Sequence, residues 1–398
     1  MPIEEELRVE EGAKVIPMEK DKGLSTLCID AGSSSTKVFS FRSNKYSNVA
    51  NNVFLDVPED LNTFDIIGKK ALIEDSLDIT IDKLSGKTDE ALDKFLGKRI
   101  ICGKLATMVS PFTSRLSPFY PKYEQPEFYI NILTAILIEL LKGKVGTGRD
   151  DVKVALLLPP YEHYHNKLEA INNLVGTYRI QHNFIGCVSE FEIKKQNVMI
   201  LPESFTSFAN ICYTNTGAKT SAGESFVNKT VICIDIGKNT TDISGMYNLA
   251  PLSYTFETFR FGTDQMVSSL TNLISQQEGT RFNKKAYEDA FITGRLEDGD
   301  SFKNVRGLVS AAREEFAGKF IQQFAEYLDT KNLQFRNIAG LVFIGGGSIG
   351  TEQCTSAAQR ILAYANRFSP NTKGIFVDDP RRSNLEGLVN LVRNQMNK

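Results

Sequence analysis

Leu27-Cys-Ile-Asp-Ala-Gly-Ser-Ser-Ser-Thr-Lys-Val38 lies without a gap over Ile232-Cys-Ile-Asp-Ile-Gly-Lys-Asn-Thr-Thr-Asp-Ile243. Cys, Ile, Asp, Gly and one Thr match outright, and the flanking positions keep their apolar character. Each copy reads as a buried strand, an Asp at its end, a Gly-containing hydroxyl-rich turn and a strand back, which is a hairpin. A hairpin of this kind is common by itself. Two in the same form, one opening each half of the chain, point to a duplicated unit.

Phosphate binding is the chemistry that suits such a turn. Glycine lets the backbone approach a phosphate closely, successive amides form an anion nest, and Ser or Thr hydroxyls add donors. In the first copy these are Gly32, Ser33, Ser34, Ser35 and Thr36, and in the second Gly237, Lys238, Asn239 and Thr240. Asp30 and Asp235 would repel phosphates unless a cation lay between them, so both are expected to hold a mostly water-coordinated Mg²⁺. Lys37 would add a point charge. Lys238 either adds a second or points into solvent.

Outward from these hairpins the pattern is that of an α/β protein. Helical spacing runs over 127–141, 161–174, 202–213, 264–277, 284–293 and 305–329, with strands at 152–158, 178–184, 190–201 and 341–344. Gly345, Gly346, Gly347 and Ser348 follow the last of these strands and open a helix, where a base or ribose could lie on bare backbone. Gly262 precedes another helix and is expected to line the same cleft. Residues 1–23 read as a charged arm. Lobe I is expected over 24–217, with a peripheral subdomain at about 45–125, completed by 380–398. Lobe II is expected over 218–379, with a small subdomain at about 270–305.

Composition narrows the function classes. The 398 residues are 41% hydrophobic and 24% charged, with a formal charge of -2. That is globular usage without the concentrated basic face a DNA-coating protein needs. No apolar run reaches the roughly 18 residues of a membrane span, and residues 1–22 contain no signal-peptide core. Six scattered cysteines fit reduced thiols of a cytoplasmic protein. His163 and His165, two apart at a helix start, point in different directions and make no metal site.

The motifs resemble those of the actin-like ATPase superfamily, and most closely the ParM-type plasmid-segregation actins and their archaeal relatives. Asp30–Lys37 looks like the first phosphate motif, Asp235–Asp242 the second, and Leu341–Ser348 the adenosine motif. Pro202-Glu203-Ser204 and Ser383-Asn-Leu-Glu-Gly387 are similar to the two connecting segments. The second turn departs from the family's Gly-Gly or Gly-x-Gly by carrying Lys238 and Asn239.

The resemblance implies two lobes, each with a ribonuclease-H-like mixed sheet and a smaller subdomain, around an interlobe Mg·ATP or Mg·GTP. It implies slow hydrolysis with Glu203 orienting water, and a ribose or base contact from Glu315. It also implies head-to-tail filaments and a DNA-bound adaptor that couples them to plasmid movement, with no direct contact to nucleic acid or membrane. On position alone Glu203 reads as a helix-start carboxylate favoured by the dipole; the match of Pro202-Glu203-Ser204 to the family motif turns the expectation to catalysis. A sugar-type kinase and a membrane-tethered division or pilus scaffold remain alternatives. A chaperone is set aside, because the sequence runs only a short way past Gly387.

Overall fold

The computed structural model describes residues 25–32, 35–67, 72–117, 119–142, 150–278, 282–299, 301–350 and 355–396. The expected arm at 1–23, Ser33, Ser34 and Cys354 lie outside them. The chain divides into two compact units, one of residues 1–158 and 162–201, the other of 159–161 and 202–398.

The first unit contains β1 (Ser25–Ala31), β2 (Ser35–Ser40), β3 (Lys45–Ala50), β4 (Val53–Phe54), α1 (Thr63–Ile67), β5 (Asp78–Ser85) and α2 (Glu90–Asp93). It continues with β6 (Arg99–Cys102), α3 (Gly103–Val109), α4 (Pro126–Lys142), β7 (Asp150–Leu158), α5 (Pro160–Leu174), β8 (Gly176–His182) and β9 (Cys187–Pro202). Its nine strands form one sheet in the order β3-β2-β1-β7-β9-β8-β5-β6-β4. β1 is antiparallel to β2 and parallel to β7, and every residue of β1 is buried. α4 is buried almost all round, which explains why its apolar residues are not confined to one stripe.

The stretch 45–125, expected as a peripheral subdomain, instead supplies strands at both ends of this sheet. Val49, Val53, Ile79, Ile81 and Leu92 share one hydrophobic core with Leu27, Ile29 and the residues of α4. The strands there are short, and β4 has only two residues, so alternation is too brief to read locally.

The second unit contains α6 (Glu203–Cys212), α7 (Ser221–Ser225), β10 (Thr230–Ile236), β11 (Thr241–Tyr247), β12 (Ala250–Phe259), α8 (Thr263–Glu278), α9 (Lys284–Thr293) and β13 (Arg295–Asp298). It ends with β14 (Ser301–Asn304), α10 (Arg306–Thr330), β15 (Ile338–Ile344), α11 (Ala357–Phe368), β16 (Lys373–Phe376) and α12 (Ser383–Met396). The main sheet has the order β12-β11-β10-β15-β16. This repeats, strand for strand, the β3-β2-β1-β7-β9 portion of the first, including the antiparallel hairpin and the parallel neighbour. β10 and β15 alternate between two cores. Ile232, Ile234, Ile236, Leu341 and Phe343 face the aromatic surface of α10, while Val231, Cys233, Val342 and Ile344 face Phe208 and Cys212 of α6. A separate cluster of Leu270, Ile274, Tyr287, Ala290, Leu296 and Val305 holds α9 and the β13–β14 hairpin against α8.

Residues 202–217 and 380–398, expected in lobe I, group with the second unit because α6 and α12 pack on each other. Ser207 Oγ and Ser383 Oγ lie 2.8 Å apart, and Asn390 Nδ2 donates to Asn210 Oδ1 at 2.6 Å. The backbones come so close that a Cβ on Gly387 would stand 1.9 Å from the Thr206 carbonyl oxygen. β12 is a ten-residue strand that periodicity does not predict, because it is interrupted by Pro251, Ser253 and Glu257. It follows a tight turn in which Asn248 and Leu249 both have positive φ, the backbone of a two-residue hairpin.

Candidate nucleotide-binding site

In the first hairpin Asp30 and Lys37 are direct cross-strand partners, and the Lys37 ammonium lies 2.8 Å from Asp30 Oδ2. Asp30 is 4% exposed, so its charge is compensated where it sits. The turn closes through the Gly32 amide, which donates to the Ser35 carbonyl at 3.2 Å. Thr36 is buried and donates to Asn51 Oδ1 at 2.6 Å, while Asn51 Nδ2 donates to the Gly32 carbonyl. The Thr36 hydroxyl thus braces the turn. Asn51, just past β3, carries no motif signal. Only the fold brings it under the glycine.

The second hairpin is built differently at the matching positions. Asp235 opposes Asp242 across the strands, and both are buried. Thr258 of β12 donates to Asp242 Oδ1 at 2.5 Å, and Asn384 at the start of α12 donates to Asp235 Oδ2 at 2.8 Å. Asn384 Oδ1 in turn accepts from Ser207 of α6 at 2.5 Å. The N-terminal turns of both connecting helices are thereby tied to the second carboxylate. Asn384 stands three residues before Gly387, on the same helix face, and that spacing was its sequence signal.

The Gly345 φ of 77° is one that side-chain-bearing residues rarely adopt, and a Cβ there would lie 2.3 Å from Asp235 Oδ1. Gly345 therefore backs directly onto the carboxylate. Gly346 and Ser348 bound a single 3₁₀ turn, and among the described residues the next helix starts at Ala357, so the glycines do not open that helix as expected. The exposed Arg381 side chain lies along Gly346, its Nε 3.7 Å from where a Cβ would be, with no acidic partner among the described residues. Ser348 Oγ donates to the Gly345 carbonyl at 2.8 Å.

The turn 237–240 rests on α8. The amides of Thr263 and Asp264 donate to the carbonyls of Gly237 and Lys238 at 3.0 and 2.9 Å. A Cβ on Gly262 would meet both carbonyl oxygens at 2.6 Å, so Gly262 lets the helix start reach the turn. The Lys238 and Asn239 amides have no hydrogen-bond partner among the described residues. Lys238 turns its ammonium toward Asp264 and Glu288 while its side chain stays about a third exposed.

Glu203 is the first residue of α6 and 9% exposed. Ser204 Oγ donates to Ser244 Oγ of β11 at 2.6 Å, which fixes the helix start on the second sheet. Glu203 therefore belongs to the same unit as Asp235. Glu315 is half-exposed on α10, where it accepts from Ser269 of α8 and pairs with Lys319 at 3.1 Å. The Ser269 hydrogen bond, then Lys319, hold its carboxyl below the usual range.

The fold that these units define is that of the actin-like proteins. Residues 233–353 match the family model described as the C-terminal part of the archaeal actin homologue MreB-like. An archaeal actin homologue in complex with ADP aligns at a TM-score of 0.62 and 14% identity, covering 94% of this chain and 99% of that one. Bacillus thuringiensis ParM with ATP aligns at 0.61 and 13% identity, covering 94% and 99%. A 15-stranded ParM filament from Clostridium botulinum aligns at 0.60 and 14%, again covering 94% and 99%. No curated protein matches the chain at the level of sequence. The chain has an actin-like fold, similar to those of the archaeal actin homologue and the plasmid-segregation ParM proteins, and its residues 233–353 match the archaeal MreB-like model. No helix among its described residues is long and apolar enough to cross a membrane.

Proposed function

We propose that the chain is a cytoplasmic ATPase or GTPase that assembles into head-to-tail filaments, with the two hairpins gripping one polyphosphate. The observation that carries this reading is the duplication. The same five-strand order recurs in both units, and each copy of the hairpin holds a buried Asp two residues before the glycine of its turn. The donor set suits Mg²⁺, since hard carboxylates that leave room for water are what that ion accepts. Asp30 and Asp235 would hold it through water, and when bound it supplies charge neutralisation at the phosphates. The amides of Lys238 and Asn239, without a partner among the described residues, would bind phosphate oxygens, and Lys37 has a counter-charge to exchange.

Hydrolysis is a phosphoryl transfer to water, in which positioning and electrostatics do most of the work. Glu203 would accept a hydrogen bond from the attacking water and orient it. The pairing of Asn384 with Asp235 and Ser207 supports a site whose carboxylate is held still. The ATP and ADP complexes and the filament among the similar structures support nucleotide binding and self-association. Under this reading a heterologous contact that does not close builds an open polymer, and a DNA-binding adaptor links it to a plasmid.

Light scattering and sedimentation with ATP, GTP, ADP and a non-hydrolysable analogue test it. Wild type should assemble with triphosphate and disassemble slowly. Glu203→Ala should still assemble while phosphate release falls by about 10²–10⁴. A wild type that hydrolyses briskly yet stays monomeric at every concentration would replace the filament reading with a kinase-like enzyme.

A further inference from the structure

Lys238 stands where the first hairpin has Ser33, and its surroundings form a closed ring of charge. Its ammonium lies 3.8 Å from Asp264 Oδ1 and 3.5 Å from Glu288 Oε1. Lys284 stands 4.0 Å from both Asp264 Oδ2 and Glu288 Oε1. Four alternating charges thus join the second turn, the first turn of α8, and α9. All four side chains are about a third exposed or more, and the separations sit at the outer edge of ion pairing, so the ring is one of the weaker kinds of contact.

The backbone of the same turn is asymmetric. The carbonyls of Gly237 and Lys238 accept from the start of α8, while the amides of Lys238 and Asn239 have no hydrogen-bond partner among the described residues. An anion arriving at those amides comes to the residue that carries the ammonium. A terminal phosphate bears more charge than either carboxylate and is met by donors that need no rearrangement.

We propose that Lys238 exchanges anions, leaving Asp264 and Glu288 for the terminal phosphate of a nucleoside triphosphate and so releasing α9 from the turn. The exchange rests on the nucleotide reading given above. It makes Lys238 a residue that distinguishes triphosphate from diphosphate, and it makes the α9–β13–β14 cluster the part that responds. Ile292 and Phe302 of that cluster are exposed, so its release alters an apolar surface.

The full chain is titrated calorimetrically with Mg·ADP and with a non-hydrolysable Mg·ATP analogue, and hydrogen exchange is followed over 284–293. Wild type should bind the triphosphate more tightly, with faster exchange in α9. Lys238→Ala should weaken the triphosphate by about tenfold while ADP affinity stays within about twofold, and α9 exchange should no longer respond. Glu288→Gln should do the reverse, tightening the triphosphate severalfold by removing a competing anion. If Lys238→Ala keeps the wild-type ratio of triphosphate to diphosphate affinity, or loses ADP equally while Glu288→Gln has no effect, the exchange is overturned with the nucleotide reading intact. If wild type binds neither nucleotide, both readings fall.

Discussion

Asp235 is held from two sides, by an amide hydrogen bond from Asn384 and by the bare backbone of Gly345. The glycine is the sharper test of this arrangement, because the approach is closer than any Cβ tolerates. Gly345→Ala combines an unfavourable φ with a collision at the carboxylate, a cost of about 1–3 kcal/mol. Its melting temperature should drop by about 2–4 °C for each kcal/mol, and Mg·nucleotide affinity should fall along with it. Retention of full affinity by a folded Gly345→Ala chain would show that Asp235 takes no part in binding. Glu203, by contrast, was found from a three-residue motif, and its place at the start of α6 agrees with that reading of the helix boundary.

Two elements carry consequences of their own. α6 and α12 cross where Gly387 meets the Thr206 carbonyl, so Gly387→Ala must push the helices apart. That overpacking costs about 1–3 kcal/mol, measurable as a shift in the denaturant midpoint with an unchanged slope. The pairing of β8 with β5 buries His182 beside Asp78, and neither ring nitrogen has a partner among the described residues. Burial pushes the His182 pKa down to about 4, against partial compensation by Asp78. The folded chain therefore keeps this imidazole neutral while the unfolded chain takes up a proton below about 6.5. Its contribution is complete above that pH and is lost as pH falls toward 4, about 3 kcal/mol in all. Burial pushes Asp78 upward, but hydrogen bonds from Arg99, Asn183 and Thr63 outweigh it and leave its carboxyl below the usual range, so its own contribution is lost only at still lower pH. Urea melts between pH 7 and 4 should show this loss in wild type and a flatter profile in His182→Leu.

For the molecule as a whole, the claim that both hairpins serve one polyphosphate predicts coupling. Asp30→Ala and Asp235→Ala should each weaken Mg·ATP binding, and the double variant should lose much less than the sum of the two. Strict additivity in isothermal titration would mean two independent sites. The two sheets were partly legible from the outset. The hairpins β1–β2 and β10–β11 and the buried strands β7 and β15 announce themselves because their apolar positions are continuous or strictly alternating. The strands of 45–125 did not: β4 and β6 are only two and four residues long, β3 is a partly solvated edge, and β5 mixes Asp, Thr and Lys with its apolar residues, so each gains its identity from the neighbour it pairs with.

Local sequence determined the duplicated hairpin, the two buried carboxylates at its strand ends, and the helices and strands that follow each copy. Those are properties of neighbouring residues, and the periods of helix and strand express them directly. Tertiary structure alone decided whom each charge meets: Lys37 closing on Asp30, Lys238 on Asp264 and Glu288, and Asn384 reaching Asp235 across 149 residues of chain. Such pairings depend on which strands become neighbours and on how closely two helices approach. Side chains far apart in sequence acquire a common low-dielectric site only after the backbone has placed them there.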